Sequence, residues 1–282
     1  MTTLRDLLEL VRAPAALSVP GDVVAGAAAA GVLGRRTAGL ACSSVCLYWA
    51  GMAANDWADR HLDARERPER PIPSGRVTAN AALGTAVGLT FAGVAVAGLA
   101  GGRRALAVAA PLAAAIWAYD VLAKGTAAGP PVMALCRGLD VLLGASPGSR
   151  AAAALPSAAT IAAHTYLLTA LSHGEVSGTR PAVPAATLAG TVALTAATVR
   201  GSANGTQPAL AGWYAAQFGL PQAQAVADPS PGHVREAVSA GIVSLPALQG
   251  ALTARGGAPR LALLLAAAAP LARRLVKKIA AT

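Results

Sequence analysis

Four residues just past an apolar run carry oxygen ligands at helical spacing. The segment NDWADRHLDARERPERPIPSGRV, residues 55–77, follows LACSSVCLYWAGMAA and begins with Asn55, Asp56, Asp59 and Asp63. Steps of three and four residues put Asp56, Asp59 and Asp63 on one helix face, with Asn55 one turn before Asp59. An ionised aspartate at the centre of a bilayer costs about 2.5–3.5 kcal/mol, so several on one face must meet water or a cation. Hard carboxylate oxygens at this density suit Mg²⁺, which keeps part of its water shell and is commonly shared with substrate phosphates. Asn55, Asp56, Asp59 and Asp63 are therefore candidate metal ligands, and Asp56, Asp59 and Asp63 candidate catalytic carboxylates.

The rest of the stretch is basic and stiff. Arg60, Arg65, Arg67, Arg70 and Arg76 supply positive charge that Glu66 and Glu69 offset only in part. Pro68, Pro71 and Pro73 stop the helix and restrict the turn, and Ser74 or Thr78 can cap the next helix. A basic lid beside a carboxylate cluster suits a diphosphate, with metal on one side and guanidinium on the other.

These residues need a scaffold, and composition says which kind. The chain has 282 residues, of which 55% are hydrophobic and 13% charged; ordinary soluble domains carry roughly 25% charged residues. Mean hydropathy is +0.52, and several runs approach the roughly 20 apolar residues that cross a bilayer. The expected fold is all-α, a polytopic transmembrane bundle. Spans are predicted over about 14–34, 37–57, 79–100, 104–123, 130–148, 151–172, 181–200 and 206–222, then 233–253 and 259–279. The 233–253 segment is the weakest, so nine, possibly ten, helices are expected. Gly and Ala dominate them, as close helix packing in membranes requires. The whole of 1–282 reads as a single membrane domain, without a soluble domain or long linker. Net charge is +10, but the basic residues sit in short loops between apolar helices. That excludes a nucleic-acid partner and favours anionic headgroups or an anionic substrate.

The first 13 residues space Leu4, Leu7, Leu8 and Val11 along one helical face with charges between, which predicts an amphipathic interfacial helix and not a cleavable signal. With the N-terminus placed in the cytoplasm, loops 58–78, 124–129, 173–180 and 223–232 share the cytoplasmic side. The tight turns at 35–36, 101–103, 149–150, 201–205 and 254–258 face the other. The expected setting is the plasma membrane, multi-pass, with 58–78 and 173–180 as active-side loops.

The stretch from Asn55 resembles the first aspartate-rich motif of the UbiA superfamily of intramembrane prenyltransferases, whose pattern is NDxxDxxxD followed by an RPxRP-like run. The order of further elements is similar over almost the whole chain. LVRAP supplies Arg12 ahead of the first span, YDVLAK supplies Tyr119 and Lys124 after the fourth, and CRGLD supplies Arg137, with Asp140 where the family usually has Asn. The family's second aspartate-rich motif is absent. In its place stands SHGEVSG, with Glu175 its lone carboxylate and His173 nearby, an arrangement that resembles the divergent EboC-like branch.

The resemblance implies a UbiA-like bundle and Mg²⁺-dependent ionisation of an isoprenyl diphosphate, with the allylic cation captured by a small acceptor. That acceptor is an aromatic ring, a polyol or cyclitol head, or a tetrapyrrole side chain. It implies Mg²⁺ on Asn55, Asp56, Asp59 and Asp63 with Glu175 facing them, diphosphate on Arg12, Lys124 and Arg137, and a lid closed by Arg67 and Arg70. Tyr119 would face the reacting carbon, and His173 is either a phosphate donor or an interfacial histidine. Terpene cyclisation and a non-catalytic scaffold or transport component are the alternatives. The low aromatic content, 4%, disfavours a cyclase, which needs aromatic walls to steer cations. Asp22, inside the first predicted span, is costly unless paired and has no partner legible in the sequence.

Overall fold

The computed structural model describes residues 2–13, 18–201 and 205–267, and the described residues are helical without strands. A short helix α1 (Leu4–Leu10) opens on a capping box, in which Thr3 Oγ1 accepts from the Asp6 backbone N–H while Asp6 accepts from Thr3. Helix α2 (Pro20–Ala30) starts with proline, whose fixed φ suits a first turn, and stops at Gly31 in the left-handed region. The first span is thus shorter than the predicted 14–34; its residues 14–17 lie outside the described residues.

Helix α3 (Arg35–Glu66) carries the aspartate motif. Its 32 residues reach about 48 Å at about 1.5 Å each, against a hydrocarbon layer of about 30 Å. Roughly the first 20 residues suffice to cross, which leaves the run from Asn55 onward beyond the apolar layer. This length is what makes several carboxylates on one transmembrane helix affordable.

Helix α4 (Ala79–Ala118) is two crossings in one. Gly102, at φ 68° and ψ −157°, breaks it in the middle, a conformation a side chain would resist. The second half runs into a single π-turn, Tyr119–Ala123, of the kind that often marks functional sites. Helices α5 (Gly129–Ala145), α6 (Leu155–Ser172), α7 (Ala182–Val199), α8 (Thr206–Ala227) and α9 (Pro231–Arg255) follow in chain order. A 3₁₀ turn, Ala151–Ala154, precedes α6, and α10 is helical over 259–267. The remainder of the predicted last span lies outside the described residues.

Among the described residues, five helical segments are long and apolar enough to cross a membrane: Arg35–Glu66, Ala79–Ala123, Ala151–Ser172, Ala182–Val199 and Pro231–Arg255. With Ala79–Ala123 crossing twice and the shorter helices between, nine or ten crossings fit. The weakest predicted span becomes the most enclosed of these five: 78% of the apolar stretch of α9 is buried, against 22% for that of α4. Its Pro and Gln residues had obscured it. Pro246 and Gln249 both face inward, and Gln249 serves a buried carboxylate.

Small residues set the spacing, because lipid is as apolar as leucine and gives helices no hydrophobic reason to associate. Helices α2 and α5 meet backbone to backbone. A Cβ on Gly26 would strike the Val141 carbonyl, and one on Gly144 would strike the backbone of Val23.

Candidate active site

The aspartate face of α3 meets four basic residues, Arg12, Arg67, Arg70 and Lys124. Asp56 lies 2.7 Å from the Arg12 guanidinium and 3.3 Å from Arg70. Asp63 lies 2.7 Å from Arg70 and 3.8 Å from the more loosely held Arg67. Asp59 pairs with Lys124 at 2.5 Å. Asp56 and Asp63 are almost fully buried, at 3% and 2% exposure, so these pairs compensate charges that water cannot.

Each base is delivered by local structure. Arg12, two residues past α1, sits at φ 46°, a left-handed conformation rare for arginine, and its side chain bonds Asp56. Arg70 comes from the proline-rich turn. There Arg70 N–H bonds Arg67 O, Ser74 N–H bonds Arg70 O, and Val77 N–H bonds Pro71 O, so the lid is folded back on itself. Ile72 and Val77 of that turn pack with Leu7 and Leu10 of α1 and with Ala53, Ala54 and Trp57 of α3. Arg76 locks the turn to α1 through Asp6 at 3.1 Å and both oxygens of Glu9 at 2.6 and 2.8 Å. The amphipathic helix and the lid therefore form one docked unit around the aspartates.

Below this layer sits Asp120, a carboxylate that sequence reasoning missed. Asn55 Nδ2 donates to Asp120 Oδ1 at 3.1 Å. The π-turn carries Asp120 toward Asn55 and Lys124 toward Asp59. The approach requires glycine opposite: a Cβ on Gly51 would lie 2.7 Å from Asp120 Oδ2 and 2.6 Å from Ile116. The signal was present, since an acidic residue inside an apolar span is costly without a role, but it was read only as the spacer between Tyr119 and Lys124. Tyr119 and Asp120 line a small cavity of about 30 Å³ with Tyr48, Gly51, Met52, Ile116, Met133 and Cys136. Its walls are mostly apolar, with Asp120 the one carboxylate among them.

Arg137, expected on a diphosphate, is placed elsewhere. It is 6% exposed, with its Nε 2.7 Å from Asp22 and its guanidinium 5.5 Å from the Tyr48 ring centre. Asp22 also accepts from Gln249 at 2.7 Å, and the neighbouring Asp140 accepts from Ser44 at 2.5 Å. Two carboxylates buried in the interior require a cation, and Arg137 is that cation. This supplies the partner for Asp22 and engages Arg137 away from the aspartate face.

The second loop, residues 173–180, is tied to α9 and the turn before it. Arg235 donates to the Glu175 backbone carbonyl at 2.9 Å, and Thr179 N–H to Pro229 O at 3.1 Å, so 173–180 is fastened to the turn before α9. Burial raises the Glu175 carboxyl above its ordinary value while the Arg235 charge opposes that shift. His173 is exposed. His164 is fully buried and paired to Tyr214 at 2.9 Å, a core contact between α6 and α8. Asp228 and His233 pair at 2.9 Å at an exposed turn.

Among the described residues, no three acidic, histidine or cysteine side chains converge as a set that could hold an ion. Of the expected constellation of Asn55, Asp56, Asp59, Asp63 and Glu175, the first-motif aspartates form a row, each paired with at least one basic residue. The donors fit Mg²⁺ by chemical type, being hard carboxylate and amide oxygens. Arg12, Arg70 and Lys124 stand where a diphosphate's oxygens would compete for them.

Comparison with known proteins places this arrangement. The chain is 37% identical over 160 residues to the digeranylgeranylglyceryl phosphate synthase of Methanopyrus kandleri, covering 54% of this chain and 56% of that protein. It is 40% identical over 99 residues to the bacteriochlorophyll synthase 33 kDa chain of Cereibacter sphaeroides, covering 33% and 32%. The chain thus spans about half the length, or less, of the curated relatives it matches. A solved structure of a digeranylgeranylglyceryl phosphate synthase shares its fold with a TM-score of 0.71 at 16% identity, over 92% of this chain and 100% of that one. The apo structure of a UbiA homologue from Aeropyrum pernix K1 gives 0.66 at 21% identity, over 86% and 97%. The profile of the UbiA prenyltransferase family matches residues 17–182, which include the aspartate motif, the π-turn and the SHGEVSG loop. On that match, the chain belongs to the UbiA prenyltransferase family.

Proposed function

We propose that the protein transfers a prenyl group from an isoprenyl diphosphate to a small acceptor within the membrane, on the cytoplasmic face of the plasma membrane, with residues 1–282 acting as one unit. The observation that carries this reading is the interleaving of Arg12, Arg70 and Lys124 with Asp56, Asp63 and Asp59 on one face of α3, with Asn55 of that helix bonded to Asp120. Asp56, Asp59 and Asp63, with Asn55 and Asp120 behind them, would hold Mg²⁺. When bound, the metal neutralises charge on the departing pyrophosphate.

The chain's own residues do the rest. Arg12, Arg70 and Lys124 exchange carboxylate partners for diphosphate oxygens and orient the donor. Bidentate guanidinium contacts suit that task. Arg67, half-exposed, closes over the lid side. The docked α1–lid unit shields the ionising bond from water, which would otherwise capture the cation. Tyr119 presents a ring beside the carboxylates, where a π-face steadies positive charge. Arg137 answers the buried Asp22 and does not touch the donor. Glu175 and His173 act from the second loop on metal or diphosphate.

The acceptor reading favoured here is a polyol-type hydroxyl. It rests on relatives named for a glyceryl phosphate product. A chlorin side chain, suggested by the bacteriochlorophyll synthase relatives, is second. The test is to incubate the purified protein with geranylgeranyl diphosphate, Mg²⁺ and either a glyceryl phosphate or a chlorin acceptor, with mass spectrometry of the lipid extract. A prenylated glyceryl phosphate that is absent from the Asp56→Ala variant is the expected result. A cyclic hydrocarbon formed without acceptor would overturn transfer, and a prenylated chlorin alone would overturn the polyol assignment.

A further inference from the structure

The end of the bundle opposite the carboxylates is basic without relief. Arg35 and Arg36 start α3, Arg103 and Arg104 follow the α4 break, and Arg150 precedes α6. Arg200, Arg255 and Arg260 close the other helix ends on this face. All eight are exposed. The 13 acidic residues of the chain all lie elsewhere, at the active-side end or in the interior. Among the described residues, none of the ion pairs involves any of these arginines. Like charges gathered at one end repel one another unless anions lie between them.

A crevice of about 470 Å³ opens at this end between the second half of α4, α5 and the 3₁₀ turn. Its walls include Val108, Leu142, Ala151 and Leu155, and Ser149 and Arg104 lie at the rim. Arg104 is drawn over it by a bond to the Gly148 carbonyl at 3.4 Å. The neighbouring Leu155 and Leu106, 54% and 37% exposed, face outward, so the crevice opens toward lipid and not into the bundle. Its volume is that of an ordinary ligand pocket. Apolar walls with a cationic rim at the membrane surface match a phospholipid, with an acyl chain inside and a phosphate at the mouth. A second copy of the chain does not match, because it would bring the same eight positive charges to the contact.

We propose that this crevice is a binding site for an anionic phospholipid, its phosphate held by Arg104 with Arg103 and Arg150 alongside, and that the arginine ring anchors this face to anionic headgroups. The proposal does not depend on the prenyl-transfer reading. It is tested by native mass spectrometry of the full chain released from detergent with phosphatidylglycerol or phosphatidylcholine of identical acyl chains. Phosphatidylglycerol is expected to stay bound and phosphatidylcholine to leave. Arg104→Gln should weaken retention about fivefold, and Arg150→Gln, a fully surface change, should act in the same direction. Ala152→Trp, which fills the crevice and spares the arginines, should also release the lipid, with helical circular dichroism unchanged. Equal retention of both lipids, or retention indifferent to both arginine variants, would overturn the proposal. So would inorganic phosphate binding as well as the lipid with Ala152→Trp without effect, which indicates an anion site and no lipid. A dimer mass abolished by Arg104→Gln would assign the face to self-association instead.

Discussion

Arg70 Nη1 lies 2.7 Å from Asp63 and 3.3 Å from Asp56, so one nitrogen from the proline-rich turn answers both ends of the aspartate face. Those two carboxylates stand seven residues apart on α3, two helical turns, and both are nearly sealed from solvent. Arg70 is thereby both the lid's latch and, in the proposed reaction, a diphosphate ligand.

Replacing Arg70 by Ala is expected to raise KM for the prenyl diphosphate by about 10- to 100-fold, the worth of a hydrogen bond to a charged partner. Lysine in its place restores charge without the planar fork and should recover only part of that loss. Steady-state kinetics with both variants checks it, and a wild-type KM for Arg70→Ala removes the residue from the diphosphate set.

Asp56→Ala is expected to lower kcat by about 10²- to 10³-fold while helical content in detergent stays intact. EDTA should silence the wild-type protein, and Mg²⁺ or Mn²⁺, both octahedral acceptors of oxygen ligands, should restore it. Full turnover in chelator would move the chemistry away from this face.

Glu175→Gln is expected to raise the Mg²⁺ requirement with kcat partly kept, because one charge is lost and an oxygen ligand remains. His173→Ala should raise KM for the diphosphate and leave the Mg²⁺ titration unchanged, the signature of uniform binding. If both variants titrate as wild type does, the second loop takes no part in donor binding.

Breaking the interior pair by Arg137→Ala should cost about 3–5 kcal/mol, because it strands the Asp22 charge in the bundle. The double variant Asp22→Asn, Arg137→Gln should recover much of that loss. Thermal unfolding in one detergent measures both, and equal losses in the single and double variants would show that Arg137 does not serve Asp22.

The docking of α1 should depend on pH in a definite direction. Asp6 is held below its ordinary value of 3.8 by hydrogen bonds from Thr3 and then by Arg76, and Glu9 below 4.5 chiefly by its bond from Arg76. Carboxyls depressed in the folded state stabilise it above their ordinary values, and that contribution fades as pH falls through the lowered ones. Trp57, packed with Leu7 in the same cluster, should report α1 release by fluorescence below about pH 4.5. Arg76→Gln should weaken docking already at neutral pH and flatten this transition; an unaltered transition would mean that the Arg76 bonds do not hold the helix.

The crossing pattern and the aspartate face follow from the sequence alone, because both are local. Apolar runs of bilayer length, and Asn55, Asp56, Asp59 and Asp63 at steps of three and four, are periodicities within one helix. The proline-rich turn likewise announces itself through residues that cannot continue a helix. Tertiary structure decided which charge meets which. Arg12 reaches Asp56 across 44 residues of chain and Asn55 reaches Asp120 across 65, and no helical period encodes such pairings. The same holds for Arg137, whose neighbours in sequence gave no reason to prefer Asp22 over a diphosphate. Its role depends on the backbone contact of α2 with α5 that Gly26 and Gly144 permit. That contact brings two buried carboxylates to one guanidinium, and in an interior without water the nearest opposite charge takes it.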